Sequence, residues 1–277
     1  MKRLLTIEIY KNLSYRPFKI FTSLYFIILI ALLFIGLVDI KVVEGLSINL
    51  KQQGIYNFPE IWNFTTYIVA LLKIFLGLII VFSICQEFTN RMFKQNTIDG
   101  LSRKEFIISK LLTILTFSGI STMIVFFLTL IIGYQYSVKT DLSLVMEEIF
   151  FIPHYFLKLF SFFCLLMFIS ILFKKSIFVF LSFVFYWICE GVLSGIEGFM
   201  RLKSGANPMI EQFSYTSLLP LKSMSDLIPN PYARLSLAKA MGFKYQFHYP
   251  IENVIACLVW TTIFILGSYW ILKKRDW

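Results

Sequence analysis

Apolar positions in this chain come in long unbroken runs. They do not follow the two-residue alternation of a strand or the one-sided stripe of a surface helix. Six runs stand out, at 20–38, 64–84, 111–134, 155–173, 177–197 and 254–272. A membrane-spanning helix needs about 20 mostly apolar residues, so the pattern predicts an all-α, polytopic membrane protein of six transmembrane helices. Lys73 interrupts the second run and Lys158 lies near the start of the fourth. The first run follows a 19-residue basic segment and is not followed by a small-x-small cleavage site. It therefore reads as a retained first span and not as a signal peptide. The whole of 1–277 reads as one transmembrane domain.

Composition agrees. Apolar residues make up 58% of the chain and charged residues 15%, against about 45–50% and about 25% in soluble proteins. This excludes a soluble globular protein, a disordered chain and a secreted disulfide scaffold. Lys and Arg set the orientation. Fifteen lie in 1–19, in 87–110, in the 174–175 link and in the C-terminal tail, against nine in the other flanks, six of which share one long loop. Both termini are therefore expected in the cytoplasm of a multi-pass protein of the plasma or inner membrane. The net charge of +10 follows from this asymmetry and forms no nucleic-acid stripe. Cys85, Cys164, Cys189 and Cys257 fall in or beside spans and read as small buried hydrophobes, not a disulfide framework. His154 and His248 have no partner at metal-ligand spacing, so no metal site is expected.

Several constellations invite a chemical reading. Leu193-Ser194-Gly195-Ile196-Glu197 matches an ATPase signature loop, but the chain contains no Gly-Lys pair for a P-loop and the match lies in a span. The chain is thus not expected to hydrolyse ATP or to bind a cofactor itself. Glu147-Glu148 lacks the Arg of one intramembrane protease class, with Ile152 in its place. Gly191 and Gly195 form a GxxxG pair that suits either packing within the bundle or a subunit contact. Ser118, Thr122 and Thr129 form a weakly polar stripe on the third span, read as helix packing or as a substrate path. Lys73 and Glu190 are the deepest charges, each ~11–14 Å below the outer surface at 1.5 Å per residue. Opposite sign at equal depth suggests an intramembrane pair, against which stand a snorkelling Lys73 and a protonated Glu190.

The most informative segment is 87–110, EFTNRMFKQNTIDGLSRKEFIISK. Gly100 breaks its helical pattern, and Ser102 with Glu105 forms a capping box that opens the third span. Upstream, Phe88, Met92 and Phe93 make an apolar patch beside Arg91 and Lys94, as in a short surface helix. The order Glu87, Gly100, Ser102-Arg103, Glu105, Lys110 resembles the loop between the second and third spans of ABC-2-type transporter permeases. Arg91-Met92 stands where the family often has Gly-Thr, and Gly100 where it often has Pro. The N-terminal IEIYKNLSYRPFK, with Glu8, Arg16 and Pro17, is similar to the family's elbow segment.

The resemblance implies a permease subunit of an ATP-driven transporter, an exporter of amphiphilic or apolar cargo. A second permease subunit, the same or a related chain, would assemble with it in the lipid bilayer. A separate cytoplasmic ATPase carrying ATP and Mg would dock on a coupling helix built from Glu87, Phe88, Arg91, Met92, Phe93, Lys94, Ser102 and Arg103. Two other classes, a polytopic intramembrane enzyme and a non-transporting scaffold or sensor, lack any supporting catalytic or binding set. The outer segment 199–250 alternates apolar patches with Pro220, Pro229 and Pro231. It is expected to fold as short helices over the outer mouth.

Overall fold

A computed structural model describes residues 2–34, 40–43, 46–48, 54–203, 214–234 and 251–274. Helices α1 (Lys2–Ser14) and α2 (Arg16–Phe34) lead into a short antiparallel hairpin of β1 (Ile40–Val43) and β2 (Leu46–Ile48). There follow α3 (Glu60–Ala70), α4 (Lys73–Thr89), α5 (Met92–Ile98), α6 (Arg103–Tyr136), α7 (Leu142–Glu147), α8 (Phe151–Phe173) and α9 (Ser176–Lys203). Two short 3-10 turns, Tyr215–Leu218 and Pro231–Arg234, flank α10 (Pro220–Asp226), and α11 (Ile251–Lys274) closes the described chain.

Among the described residues the fold is helical apart from that hairpin. Five helical segments among the described residues are long and apolar enough to cross a membrane, and a sixth span results if α3 and α4 are taken together. The second apolar run is thus not one straight helix, because α3 and α4 meet at a bend of 40°. At the break the backbone tightens to i→i−3 bonds, from Leu71 N–H to Ile68 O, Leu72 N–H to Val69 O and Phe75 N–H to Leu72 O. Upstream, the Thr65 and Thr66 hydroxyls donate back to the carbonyls of Ile61 and Trp62, a habit that bends helices. Lys73 begins the second half.

Helix α8 is the axis of the bundle. It packs against α3, α4, α6, α9, α10 and α11, and 67% of its most apolar window is buried against 11% for α9. Its sequence is apolar on every side, as a helix surrounded by others requires. Glycine sets one of these contacts: a methyl at Gly77 of α4 would come within 2.5 Å of Leu166 and 3.1 Å of Phe162. At one end of the bundle α8 and α9 are joined only by Lys174 and Lys175, with Lys174 left-handed at φ 62°. The start of α6 and the end of α11 lie at that same end, where the Arg103 guanidinium donates to the Lys273 carbonyl at 2.6 Å.

At the opposite end, 214–234 folds as the expected short helices over α3, α8, α9 and α11. The rest of 199–250 divides between α9, which runs on to Lys203, and residues outside the described set. Met224, Leu227 and Ile228 are buried under this cap. The Trp260 indole donates to Leu218 O at 2.8 Å, and the Asn63 amide to Pro229 O at 3.1 Å.

Candidate functional site: a buried charge network beneath a short exposed helix

Helix α5 is bracketed by two left-handed residues, Arg91 at φ 57° and Gly100 at φ 95°. An added Cβ at Gly100 would meet nothing within 4 Å, so backbone conformation and not space accounts for glycine there. The capping box at the start of α6 is formed as the sequence predicts. Ser102 Oγ accepts from Glu105 N–H at 3.2 Å, and Glu105 Oε2 accepts from Ser102 N–H at 2.8 Å.

Behind α5 lies a cluster that the loop motif only partly announced. Glu87, 2% exposed, is ion-paired to Lys110 of α6 and to Lys11 of α1. Lys110 also reaches Glu8 of α1 at 2.6 Å, and Lys11 reaches Glu8 at 3.1 Å. Ser109 Oγ lies 3.3 Å from Glu8, and Ser83 Oγ donates to Asn12 Oδ1 at 2.9 Å. Two carboxylates and two ammonium groups thus form a neutral set in which each member has opposite-charge partners, the condition for burying charges. Burial raises the Glu8 carboxyl, but Lys110 and then Lys11 outweigh it and hold the group at about 2. The network ties α1 to α4 and α6 at the point where α5 leaves α4. A cleft of about 220 Å³ opens beside it, lined by Lys11, Asn12, Ser14, Tyr15, Gln86, Glu87 and Met92.

This geometry corrects the expected division of roles. Glu87 is not a surface contact. Phe93 is buried, its ring 4.7 Å from Phe106 and 5.4 Å from the half-buried Phe88, so this aromatic set holds α5 down instead of offering it as an anchor. Met92 is half-buried at the cleft. Arg91 and Lys94 are exposed as expected, joined by Gln95 and Ile98. Ser102 caps α6, and Arg103 holds the end of α11.

The expected pair of Lys73 and Glu190 does not form as a direct ion pair. Glu190, 5% exposed, accepts from the backbone N–H groups of Leu221 at 3.2 Å and Lys222 at 2.5 Å, the first turn of α10. Lys73 Nζ instead lies 4.7 Å from the centre of the Phe162 ring. At the other end of α10, the buried Lys158 donates to Ser225 O at 3.1 Å. A carboxylate at the N-terminus and an ammonium at the C-terminus both match the helix dipole. Two turns along α9 from Glu190, Glu197 repeats the device. It accepts from Tyr215 N–H and Thr216 N–H at the start of the preceding 3-10 turn, and from Arg201. Charges were visible at these positions in the sequence, but a backbone partner 31 residues away was not.

Among the described residues, an added Cβ at Gly191 or Gly195 would meet no atom within 4 Å. Of the third-span stripe, Ser118 and Thr129 are buried, and Thr129 Oγ1 donates to Thr65 Oγ1 at 3.0 Å. Sequence reasoning missed the buried hydroxyl triad of Tyr25, Ser121 and Tyr155, which joins α2, α6 and α8. Tyr155 OH lies 2.9 Å from Ser121 Oγ and 3.2 Å from Tyr25 OH.

The sequence pattern of ABC-2 family transporter proteins matches residues 4–190, well over half of the chain. The chain belongs to the ABC-2 transporter family. The match spans α1 to the middle of α9, so all four charges of the network and the whole of α5 lie inside the ABC-2 region, whereas the cap and α11 lie beyond it. No curated protein matches the chain. Membership makes the chain a multi-pass component of a membrane transporter, in a family that works with an ABC ATPase and is not itself the ATPase.

Proposed function

We propose that the chain is the permease subunit of an ABC exporter of the cell membrane. It carries an amphiphilic or apolar cargo and works with a separate cytoplasmic ATPase and a second permease subunit. ABC-2 membership supplies the class, and the observation that carries the mechanism is the buried Glu8–Lys11–Glu87–Lys110 network. The Lys/Arg asymmetry orients both termini and this end of the bundle to the cytoplasm. There α1 is the elbow and α5 the coupling helix. Force applied to α5 reaches α4 through the helix link and α1 and α6 through the ion pairs, so three elements move as one body. ATP and Mg sit on the partner. The uncovered Gly191–Gly195 face of α9 lets a second permease helix approach closely.

The test is purification of the full chain in mild detergent from its native membrane. An ABC ATPase should co-purify, and ATP hydrolysis by the complex should rise in lipid vesicles and respond to an exported amphiphile. A permease isolated without any ATPase under conditions that keep it folded would refute the assignment.

A further inference from the structure

Resting on that reading, we infer that Lys73 and Lys158 receive the anionic group of an amphiphilic cargo, a carboxylate or a phosphate, inside the membrane beneath the outer cap. Lys73 Nζ lies 4.7 Å from the centre of the Phe162 ring. Lys158 precedes Phe162 by one turn on the same face of α8, and the two ammonium groups come close enough to repel each other. Lys158 is 4% exposed and Lys73 half-buried. Among the described residues neither makes an ion pair: Lys158 donates to Ser225 O at 3.1 Å, and Lys73 faces the Phe162 ring. In the Glu8–Lys11–Glu87–Lys110 network, by contrast, every ammonium has a carboxylate.

A cation at this depth calls for an anion, and the carboxylates in range are engaged elsewhere. The field of Glu190 reaches Lys73 and that of Asp226 reaches Lys158. Glu190 is bonded to the Leu221 and Lys222 N–H groups, and Asp226 is ion-paired to Lys222 at 3.3 Å. With Lys222 included, cations outnumber carboxylates in this group. The Cys257 thiol, also in range, bonds to Ser223. An ammonium offers more N–H donors than the contacts of Lys73 and Lys158 use, so the member that completes the set is an anion.

The surroundings suit an amphiphile. Towards the 174–175 end, the half-buried rings of Phe183 and Phe180 of α9 lie 5.7 Å from Phe162 and 5.9 Å from Phe82, an apolar wall for a tail. Lys158 lies ~10 Å along α8 from Phe151 at 1.5 Å per residue, deeper than the headgroup layer of roughly 5–8 Å on each side of a bilayer. A resident lipid keeps its headgroup in that layer, whereas an amphiphile in transit carries its anion past it.

The experiment uses the full chain with its co-purified ATPase in phosphatidylcholine vesicles. Two photoreactive probes share one diazirine-bearing alkyl chain and end in a phosphate or a hydroxyl. The phosphate probe should label the chain near Lys73, Phe162 and Phe183 and raise ATP hydrolysis, while the alcohol labels those positions about 10- to 100-fold less, the equivalent of one charge-assisted hydrogen bond. Lys73, unlike Lys158, does not hold α10. Lys73→Met should therefore lower labelling by the phosphate probe by a similar factor at equal yield of folded complex, and Lys73→Arg should keep most of it. Equal labelling by the two probes, or unchanged labelling in Lys73→Met, overturns the proposal. A response of ATP hydrolysis to the alcohol would then leave the permease assignment standing, since that assignment fails when no ATPase co-purifies. Labelling that phosphatidylglycerol in the vesicles abolishes, without any response of ATP hydrolysis, marks a resident lipid and overturns the cargo site. Labelling that inorganic phosphate abolishes marks a site for a free anion and overturns it too.

Discussion

Replacing Glu190 by alanine isolates the clamp on α10. The carboxylate accepts two backbone N–H groups in a site that is 5% exposed. Hydrogen bonds to a charged group are worth roughly 1.5–3 kcal/mol, and a buried donor left without an acceptor bears the full desolvation penalty. α10 is only seven residues long, too short to hold itself together in isolation. Its apolar supports are Pro220 and Leu221 in that first turn and Met224, Leu227 and Ile228 in and just beyond its C-terminal half. The N-terminal turn should therefore lose about 3 kcal/mol of local stability, while the remainder of the cap stays seated. Since about 1.4 kcal/mol is a factor of ten, amide hydrogen exchange at Leu221 and Lys222 should accelerate by about two orders of magnitude. Glu190→Gln, which keeps an acceptor oxygen and loses the charge, should fall between the two. Glu197→Ala should speed exchange at Tyr215 and Thr216 and leave α10 alone. Unchanged exchange at Leu221 and Lys222 in Glu190→Ala, with α9 and α11 intact, would refute the reasoning. An equal acceleration throughout α9 and α11 would refute it too, since that means general unfolding.

Three further outcomes are expected. Lys110→Met leaves Glu8 and Glu87 with only the partly exposed Lys11 and should cost about 3–5 kcal/mol, read as a lower thermal midpoint, and Lys110→Met with Glu87→Gln should recover part of that loss. Glu8 is held at about 2 instead of its usual 4.5, so its contribution, about 3 kcal/mol by the pKa difference, is fully present above pH 4.5 and is lost as pH falls from 4.5 towards 2. Pepsin cleavage near Tyr15, between α1 and α2, should appear over that window and not above it. Finally, a thiol introduced at Ser143 should react with a membrane-impermeant reagent added outside cells and one at Gly100 should not. The reverse would invert the proposed orientation.

The parts of this architecture legible in advance are those written in local pattern. Run length announced the five to six membrane-spanning candidates found among the described residues, and the Ser102–Glu105 capping box was read in full because both partners lie within one turn. The loop motif singled out Glu87 and Lys110, and the elbow segment singled out Glu8, but nothing local says that three separate elements bring them together, and Lys11 was not picked out at all. The break before Lys73 was hidden because a bent span and a straight one share the same apolar content. Glu190 was singled out for the right reason, since a charge at that depth requires a partner. The partner was misjudged because backbone N–H groups carry no signature in a list of side chains. Phe93 was assigned to docking, though it is buried in its own bundle, because an apolar patch on a short helix looks the same whether it faces its own bundle or another protein.

The clamp on α10 has a mechanical consequence for the hairpin of α8 and α9. At one end these helices are joined by two residues, a joint too short to let them slide. At the other end α10 is tied to α9 through Glu190 and to α8 through Lys158. The pair behaves as tongs whose pivot is Lys174–Lys175 and whose jaws are held shut by a crossbar. Any motion that parts the two helices must swing about that pivot, so displacement grows with distance from it and is already large at the crossbar. A few ångströms there exceed the reach of a hydrogen bond. Spreading α8 from α9 and unseating the cap are therefore one event, with α10 keeping hold of only one arm.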